Sequence, residues 1–126
     1  MINTTGELKE VIRKAFKQTQ GATVDEQNKC IKRAFQAIRI ATNYELLNLQ
    51  RFFDQCPDSI VDRQGILMVI TFHSLEEKMV VQQFSRWKKE KLGQFGNKKP
   101  ILADQREIEE NGSKSRSAKL YSFLFY

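Results

Sequence analysis

A short apolar run followed by a helix-start pattern constrains this sequence most. Residues 66–70 read Ile-Leu-Met-Val-Ile, so both faces of a strand formed there would be apolar. Strands of this kind are typical of the interior of a parallel α/β sheet. Ser74 and Glu77 have the spacing of a capping box, which begins a helix. We therefore predict a buried strand that leads into a helix, with His73 and Glu76 at the junction, where open α/β sheets bind their ligands.

Apolar residues at helical spacing predict helices before this strand. A capping-box pattern predicts a first helix over Thr5–Lys17. A long helical stretch is expected from residue 25 to residue 55, either continuous or restarted with Asn43 as a new N-cap. It is expected to end at Cys56, because Pro57 disfavours helix in the residue before it.

After the apolar run, the helix that begins near Ser74 continues into a basic segment. Residues 86–99 contain six basic residues and one acidic residue. Phe95 lies there between Gly93 and Gly96, in what the glycines predict to be a flexible loop. A basic loop that contains an aromatic residue suits contact with RNA.

The C-terminal third is expected to add a short edge strand at residues 100–102, a helical turn at 105–110 and a final strand at 118–126. In the final strand, residues alternate between two faces. One face carries Leu120, Ser122, Leu124 and Tyr126, and the other carries Lys119, Tyr121, Phe123 and Phe125.

Composition and charge limit the partners and the compartment that this protein can have. The net charge of +6 over 126 residues favours a polyanionic partner, with nucleic acid first and an anionic membrane surface second. Cys30 and Cys56 lack zinc-site spacing and are expected to be reduced, as in a reducing compartment. No apolar run reaches the roughly 18 residues of a membrane span. The N-terminus shows no signal-peptide core, and a transit peptide removed before residue 1 stays an alternative.

Four stretches resemble one family. Residues 71–76, Thr-Phe-His-Ser-Leu-Glu, resemble the serine-phenylalanine-histidine-serine-leucine-glutamate motif of the MraW-type methyltransferases. Residues 33–40, Arg-Ala-Phe-Gln-Ala-Ile-Arg-Ile, are similar to the family's RTFQALRI helix. Residues 115–120 resemble its RSAKLR strand entry, and residues 3–8 resemble its TTGEL helix start. The resemblance follows the family's order along nearly the whole chain.

The resemblance implies an S-adenosylmethionine-dependent enzyme that methylates cytosine N4 in small-subunit ribosomal RNA. It implies that His73 and Glu76 belong to the catalytic site, where positioning of the amine dominates. It also implies RNA contacts, because arginine suits phosphate and stacking contacts. The implied RNA-binding residues are Arg33, Gln36, Arg39, Ser74, Arg116, Ser117 and Lys119. From the residues alone, the alternatives are a solvated helix face, an N-cap at Ser74 and a turn histidine that hydrogen-bonds the backbone.

The resemblance covers only the C-terminal part of the family. The expected fold is α/β, with a helical subdomain at residues 1–60 and, at 61–126, the C-terminal part of a Rossmann-like methyltransferase sheet that lacks its first four strands. The sequence has no G-x-G cluster, so this chain alone is not expected to bind S-adenosylmethionine. Strand 66–72 would then be an unpaired apolar edge, which predicts a protein partner or self-association.

Three functions follow from this reading. The first is the C-terminal segment of an rRNA cytosine-N4 methyltransferase that needs a partner chain for activity. The second is a non-catalytic RNA-binding, ribosome-assembly or ribosomal protein derived from the family. The third is a helical interaction module with an unrelated partner. The first two imply ribosomal RNA as a partner, no membrane, and a location in the cytoplasm or the mitochondrial matrix.

Overall fold

The computed structural model describes residues 1–17, 23–60 and 64–126. They form two compact units, Met1–Glu45 and Leu46–Tyr126. The sequence placed a domain boundary between residues 60 and 61, which is a different division of the chain. The predicted boundary separates a helical subdomain from the methyltransferase-like part, and it stays a prediction, because the two compact units are defined by contacts within the chain. No helix in the described ranges is long and apolar enough to cross a membrane.

The first unit contains two helices that pack on each other, α1 (Thr5–Lys17) and α2 (Val24–Asn43). The prediction for α1 is confirmed, and the Glu7 backbone N–H donates to Thr4 Oγ1 over 3.2 Å as the capping pattern requires. Tyr44 follows α2 in the left-handed conformation, with φ 53°, so the long helical stretch is interrupted there.

Helix α3 (Glu45–Ile60) continues through Pro57, so the predicted end at Cys56 is wrong. Phe53 and Cys56 are buried in the core of the second unit, and Ile60 packs against that core. This burial outweighs the local preference of the residue before a proline. Cys56 and Cys30 are both free thiols, and burial raises the pKa of Cys56.

The second unit combines α3 from Leu46 onward with a small sheet and its flanking helices. The remaining elements are β1 (Ile66–Thr71), α4 (Ser74–Lys89), β2 (Gly93–Phe95), β3 (Ile101–Leu102), α5 (Gln105–Asn111), a 3-10 helix (Ser113–Ser117) and β4 (Lys119–Phe125). The predicted edge strand, helical turn and final strand are confirmed as β3, α5 and β4. The predicted flexible loop at residues 93–96 is wrong, because Gly93 to Phe95 pair with β4.

All strand pairing in the described part of the chain runs through β4. The sheet order is β1-β4-β2, with β3 also paired to β4, and every pair is antiparallel. The register places Ile66 opposite Leu124 and Thr71 opposite Lys119. The parallel neighbour predicted for β1 is therefore absent from these residues. The prediction of a parallel sheet failed because an unbroken apolar run indicates that both faces of a strand can be buried and says nothing about the direction of the neighbouring strand.

One face of this sheet carries the core. Phe123 is fully buried in β4, and its ring centroid lies 5.2 Å from that of Phe84 on α4. Trp87 on the same helix stacks on Phe84 at 5.7 Å and meets Phe53 of α3 edge-on at the same distance. Such aromatic pairs contribute about 0.5–1.5 kcal/mol each beyond the area that they bury. This cluster therefore joins α3, α4 and β4.

The other face of the sheet is open, so the prediction that β1 is buried on both faces is wrong for these residues. Along the open side of β1, Ile66, Met68 and Ile70 are 56–64% exposed, and Phe72 just beyond it is 54% exposed. Leu67 and Thr71 point to the covered face and are buried. In the second unit, α3 and α4 pack against the covered face, while the large apolar side chains of β1 on the other face are exposed.

Gly93 is required by the close approach of β2 to β4. A Cβ at this position would collide with the carbonyl oxygen of Leu124 and with the ring of Phe123. We therefore expect Gly93→Ala to lower the free energy of unfolding by about 1–3 kcal/mol in urea denaturation. The control is Gly6→Ala at the start of α1, where the nearest atom is 3.8 Å away. It should be neutral or stabilising by up to ~1 kcal/mol, and equal destabilisation by both variants would contradict this account.

Candidate functional site

The candidate site lies where β1 ends and α4 begins. Thr71 closes β1 and is 1% exposed, and its Oγ1 lies 3.4 Å from the Lys119 carbonyl oxygen that accepts its hydrogen bond. The strand ladder also pairs these two residues. The start of β4 is therefore fixed beside the end of β1, so polar residues from both strands reach the same end of the sheet.

His73 caps α4, and the prediction that Ser74 is the N-cap is wrong by one residue. The Glu76 backbone N–H donates to His73 Nδ1 over 3.3 Å, while Glu76 Oε2 accepts from the Phe72 and His73 backbone N–H groups at 2.8 and 3.3 Å. Ser74 is the first helical residue and is exposed. The spacing in the sequence allows either Ser74 with Glu77 or His73 with Glu76, and the structure adopts His73 with Glu76.

The cap fixes the direction of the His73 ring. Since Nδ1 accepts a hydrogen bond, the neutral ring carries its proton on Nε2. That nitrogen is buried and lies 3.3 Å from Glu76 Oε1, yet it makes no well-directed hydrogen bond within the described residues. His73 can therefore offer an N–H donor next to the Glu76 carboxylate, which can accept a proton or a hydrogen bond.

Glu77 ties α4 to the start of β4. Both of its carboxylate oxygens accept hydrogen bonds from Lys119 Nζ at 2.8 Å, and Oε1 also accepts one from Tyr121 Oη at 2.6 Å. The Lys119 and Tyr121 hydrogen bonds hold the pKa of Glu77 below its ordinary value. Burial, followed by the hydrogen bond to Glu77, raises the pKa of Tyr121 to about 12. Glu77 is therefore a carboxylate at neutral pH, where it accepts the hydrogen bonds from Lys119 and Tyr121.

The second unit brings several of the predicted residues to this end of the sheet. His73, Ser74 and Glu76 lie at the start of α4, and Arg116 and Ser117 end the 3-10 helix just before β4. Arg116 is exposed, while Ser117 Oγ donates to the Lys114 carbonyl over 3.0 Å. Lys119 is engaged by Glu77, so an RNA phosphate would have to share it or displace the carboxylate.

Arg33, Gln36 and Arg39 lie on α2 in the first unit. Arg33 is exposed and Gln36 is half-buried. Arg39 pairs with Glu45, with its Nε 2.9 Å from Oε1 and its Nη2 3.2 Å from Oε2. The two nitrogens of Arg39 thus bind one carboxylate, which orders the guanidinium. The roles of these three residues in RNA binding stay predictions.

Sequence reasoning missed Glu77 as the residue that organises this end of the sheet, having assigned it to a helix cap. The available signal was the spacing of Lys119 and Tyr121, which places an ammonium and a hydroxyl on one face of the final strand. Nothing in the sequence pairs that face with Glu77 rather than Glu76, because the register of α4 against β4 is set by packing.

The pocket on the open face of the sheet does not have the lining of an S-adenosylmethionine site. A pocket of about 240 Å³ lies on the open face of the sheet, and its wall includes Ile70, Phe72, Ile101 and Leu102. Its acidic lining residue, Glu107, caps α5 by accepting the Asp104 backbone N–H over 3.3 Å. The pocket therefore offers apolar surface without the glycine-rich turn that holds such cofactors.

Comparison with known proteins decides the family. The sequence matches the model of the MraW methylase family over residues 1–125. The chain belongs to the MraW methylase family. The resemblance carried by the four motifs is thus confirmed, and their positions all fall within the match.

The curated relatives are longer than this chain. The chain is 37% identical to the ribosomal RNA small subunit methyltransferase H 2 of Agathobacter rectalis over 97% of the chain, and spans 42% of that relative's length. It is 38% identical to the ribosomal RNA small subunit methyltransferase H of Ehrlichia ruminantium, spanning 98% of the chain and 42% of the relative. It is 46% identical to the ribosomal RNA small subunit methyltransferase H of Coprothermobacter proteolyticus over 72% of the chain, and it spans 30% of that relative's length. The chain therefore spans about two fifths or less of the length of these relatives.

The pKa of Glu77 gives a prediction for stability against pH. Because folding lowers this pKa below the ordinary 4.5, the ion pair stabilises the protein above pH 4.5, and that stabilisation is lost as pH falls through the folded-state pKa. We expect Glu77→Gln to cost about 1–2 kcal/mol at pH 7 and less at acidic pH in urea denaturation. Glu110→Gln, at an exposed pair with Arg106, should cost under ~1 kcal/mol. A Glu77→Gln loss that stays constant down to acidic pH would contradict the assignment.

Proposed function

We propose that this chain is the C-terminal segment of an S-adenosylmethionine-dependent rRNA cytosine-N4 methyltransferase, active when a polypeptide that supplies the rest of the family's length joins it. One observation carries the proposal. A chain that spans about two fifths of its relatives leaves an apolar sheet face and a strand edge uncovered. The joined sheet would be the Rossmann-like sheet expected of the methyltransferase.

The open face has the properties of a surface that is normally covered. Ile66, Met68 and Ile70 on β1 and Ile101 on β3 are large, apolar and more than half exposed, and Ile70 and Ile101 line the pocket on that side. The second edge of β1 has no partner strand among the described residues. Soluble proteins protect such edges with charge, bulges or covering elements, and β1 has none of these on its open side. An added strand and helix would satisfy both the edge and the face.

The capped junction provides the proposed substrate contacts. His73 and Glu76 would hold the cytosine and orient its exocyclic amine, since a fixed donor and a carboxylate stand side by side there. Ser74, Arg116, Ser117 and Lys119 at the same end of the sheet, and Arg33, Gln36 and Arg39 on α2, would contact the RNA around it. S-adenosylmethionine would supply the methyl group and be held by the added polypeptide.

The relatives support ribosomal RNA as the substrate, because each is named a ribosomal RNA small subunit methyltransferase. The proposed activity belongs to the cytoplasm or to the mitochondrial matrix, where free cysteines such as Cys30 and Cys56 stay reduced. A non-catalytic role in RNA binding is the outcome that remains if no added polypeptide restores methylation.

Complementation tests the proposal. The purified chain would be mixed with the N-terminal remainder of the Agathobacter rectalis relative, and methyl transfer to small-subunit RNA would be measured with labelled S-adenosylmethionine. We expect methyl transfer only in the mixture, and no calorimetric binding of S-adenosylmethionine by the purified chain alone. Absence of transfer under conditions where the two polypeptides form a complex would reject the enzymatic role.

Matched variants locate the contact. Met68→Lys and Ile70→Lys place a charge on the open face at residues already exposed, so each should fold and fail to assemble. We expect at least a tenfold loss of association for each, since an unpaired buried charge costs several kcal/mol. The control is Leu47→Lys on α3, where the side chain is 47% exposed on another surface. Equal loss with all three variants would argue against docking at β1.

His73→Asn separates capping from catalysis. Asparagine is a strong N-cap residue, so α4 should keep its stability to within about 0.5 kcal/mol of the unmodified protein. We expect methyl transfer by the complemented enzyme to fall by at least tenfold, because the Nε2 donor is lost. His73→Ala should lower both stability and activity. Full activity in the asparagine variant would limit His73 to its structural role.

A further inference from the structure

A second pocket in the same unit lies between α4 and residues 93–100, and nothing in the proposed methyl transfer uses it. Its volume is about 430 Å³, within the ~300–1,000 Å³ typical of ligand sites. Its apolar wall includes Val81, Phe95 and Pro100, and two cations, Lys88 and Lys98, line it as well. An apolar pocket with two ammonium groups suits a ligand that has a flat apolar body and a negative charge.

Phe95 is held as a rigid aromatic surface. Its ring meets Phe84 edge-on at 5.7 Å and Phe123 at 6.1 Å, and both of those rings are fully buried. Phe95 itself is half-buried and lines the pocket. Its position is thus fixed by the core while the ring remains accessible from the pocket. Nucleobases stack on aromatic rings presented in this way.

The wall formed by residues 93–100 is pinned to β4. Asn97 Oδ1 accepts hydrogen bonds from the Ser122 backbone N–H at 2.7 Å and from Ser122 Oγ at 2.6 Å. Asn97 Nδ2 donates to the Leu120 carbonyl over 3.3 Å, and the Gly96 N–H donates to the Ser122 carbonyl over 2.8 Å. The pocket therefore exists before any ligand arrives, which lowers the entropy cost of binding.

The charges around the pocket favour an anion. Lys88 and Lys98 are exposed, and neither has an ion-pair partner among the described residues. The carboxylate nearest in the hydrogen-bond network is Glu77, which Tyr121 of the pocket wall contacts, and Lys119 neutralises it. The basic residues of segment 86–99 add a positive field around the same opening.

We propose that this pocket binds one nucleotide of single-stranded RNA, with the base against Phe95 and the adjacent phosphates on Lys88 and Lys98. The proposal rests on the RNA substrate proposed above and adds a contact separate from His73 and Glu76. This contact would bind an unpaired nucleotide at a distance from the methylated base. Such a contact selects single-stranded over double-stranded RNA, because only an unpaired base can stack on a side chain.

The test compares binding of a short single-stranded RNA oligonucleotide and of its duplex over a range of salt concentrations. Phe95→Leu keeps apolar volume and removes the aromatic face. We expect it to weaken single-strand binding between about 5- and 150-fold and to leave duplex binding unchanged. Fluorescence of Trp87, the single tryptophan, which is buried beside this site, reports whether the variant is folded.

Charge is tested with two double variants that have the same net charge. Lys88→Gln with Lys98→Gln should reduce the slope of log affinity against log salt by about 1.4, since each phosphate contact on a single strand contributes ~0.7. Lys89→Gln with Lys99→Gln removes exposed charges that do not line the pocket and should change the slope less. Crosslinking with a photoreactive uridine should label the tryptic peptide of residues 92–98.

Several results would contradict the proposal that this pocket binds a nucleotide. They are unchanged single-strand binding by folded Phe95→Leu, equal slopes for the two double variants, or equal competition by a polyglutamate peptide, which would identify a general anion surface. Failure of the unmodified chain to bind single-stranded RNA would overturn it too. The complementation assay is independent of all these results, so methyl transfer there with no effect of Phe95→Leu would reject this inference and keep the proposed enzyme.

Discussion

Every strand pairing in the described part of this protein depends on β4, the strand at residues 119–125. It hydrogen-bonds β1 along one edge and β2 and β3 along the other, and its inward residues, led by Phe123, form the centre of the aromatic core. The C-terminal segment of the chain therefore has to be in place before the rest of the sheet is stable. Removal of Phe123 would remove ring contacts to both α4 and β2 at once.

The two faces of the sheet differ in their exposure to solvent. One is covered by rings from α3 and α4, while the other exposes isoleucine and methionine side chains along β1 and β3. Contiguous exposed apolar side chains of this kind mark an interaction surface or a site of aggregation. The net charge of +6 provides some repulsion, and the proposed added polypeptide provides the cover.

The start of α4 shows how structural and functional roles can share the same atoms. His73 and Glu76 satisfy the backbone N–H groups at the helix start, and in doing so they fix a ring nitrogen and a carboxylate oxygen 3.3 Å apart. One residue further on, Glu77 binds β4. The cap sets the orientation of the proposed catalytic pair, and the Glu77 network fixes the distance of that pair from the strand carrying the RNA-contact candidates.

The sequence by itself determined the local elements and the family. Period and capping patterns set α1 and the alternation of β4, and the motifs around residues 33–40 and 71–76 pointed to the MraW methylase family. These features are encoded by neighbouring residues. The tertiary structure alone decided that α3 runs through Pro57, that β1 pairs antiparallel, that His73 rather than Ser74 is the cap, and that Phe95 joins two lysines in a pocket. The course of α3 and the pairing of β1 depend on contacts between residues distant in sequence, whose energies of burial and pairing outweigh local preference. The cap and the pocket depend on which of several locally possible arrangements the packed structure adopts.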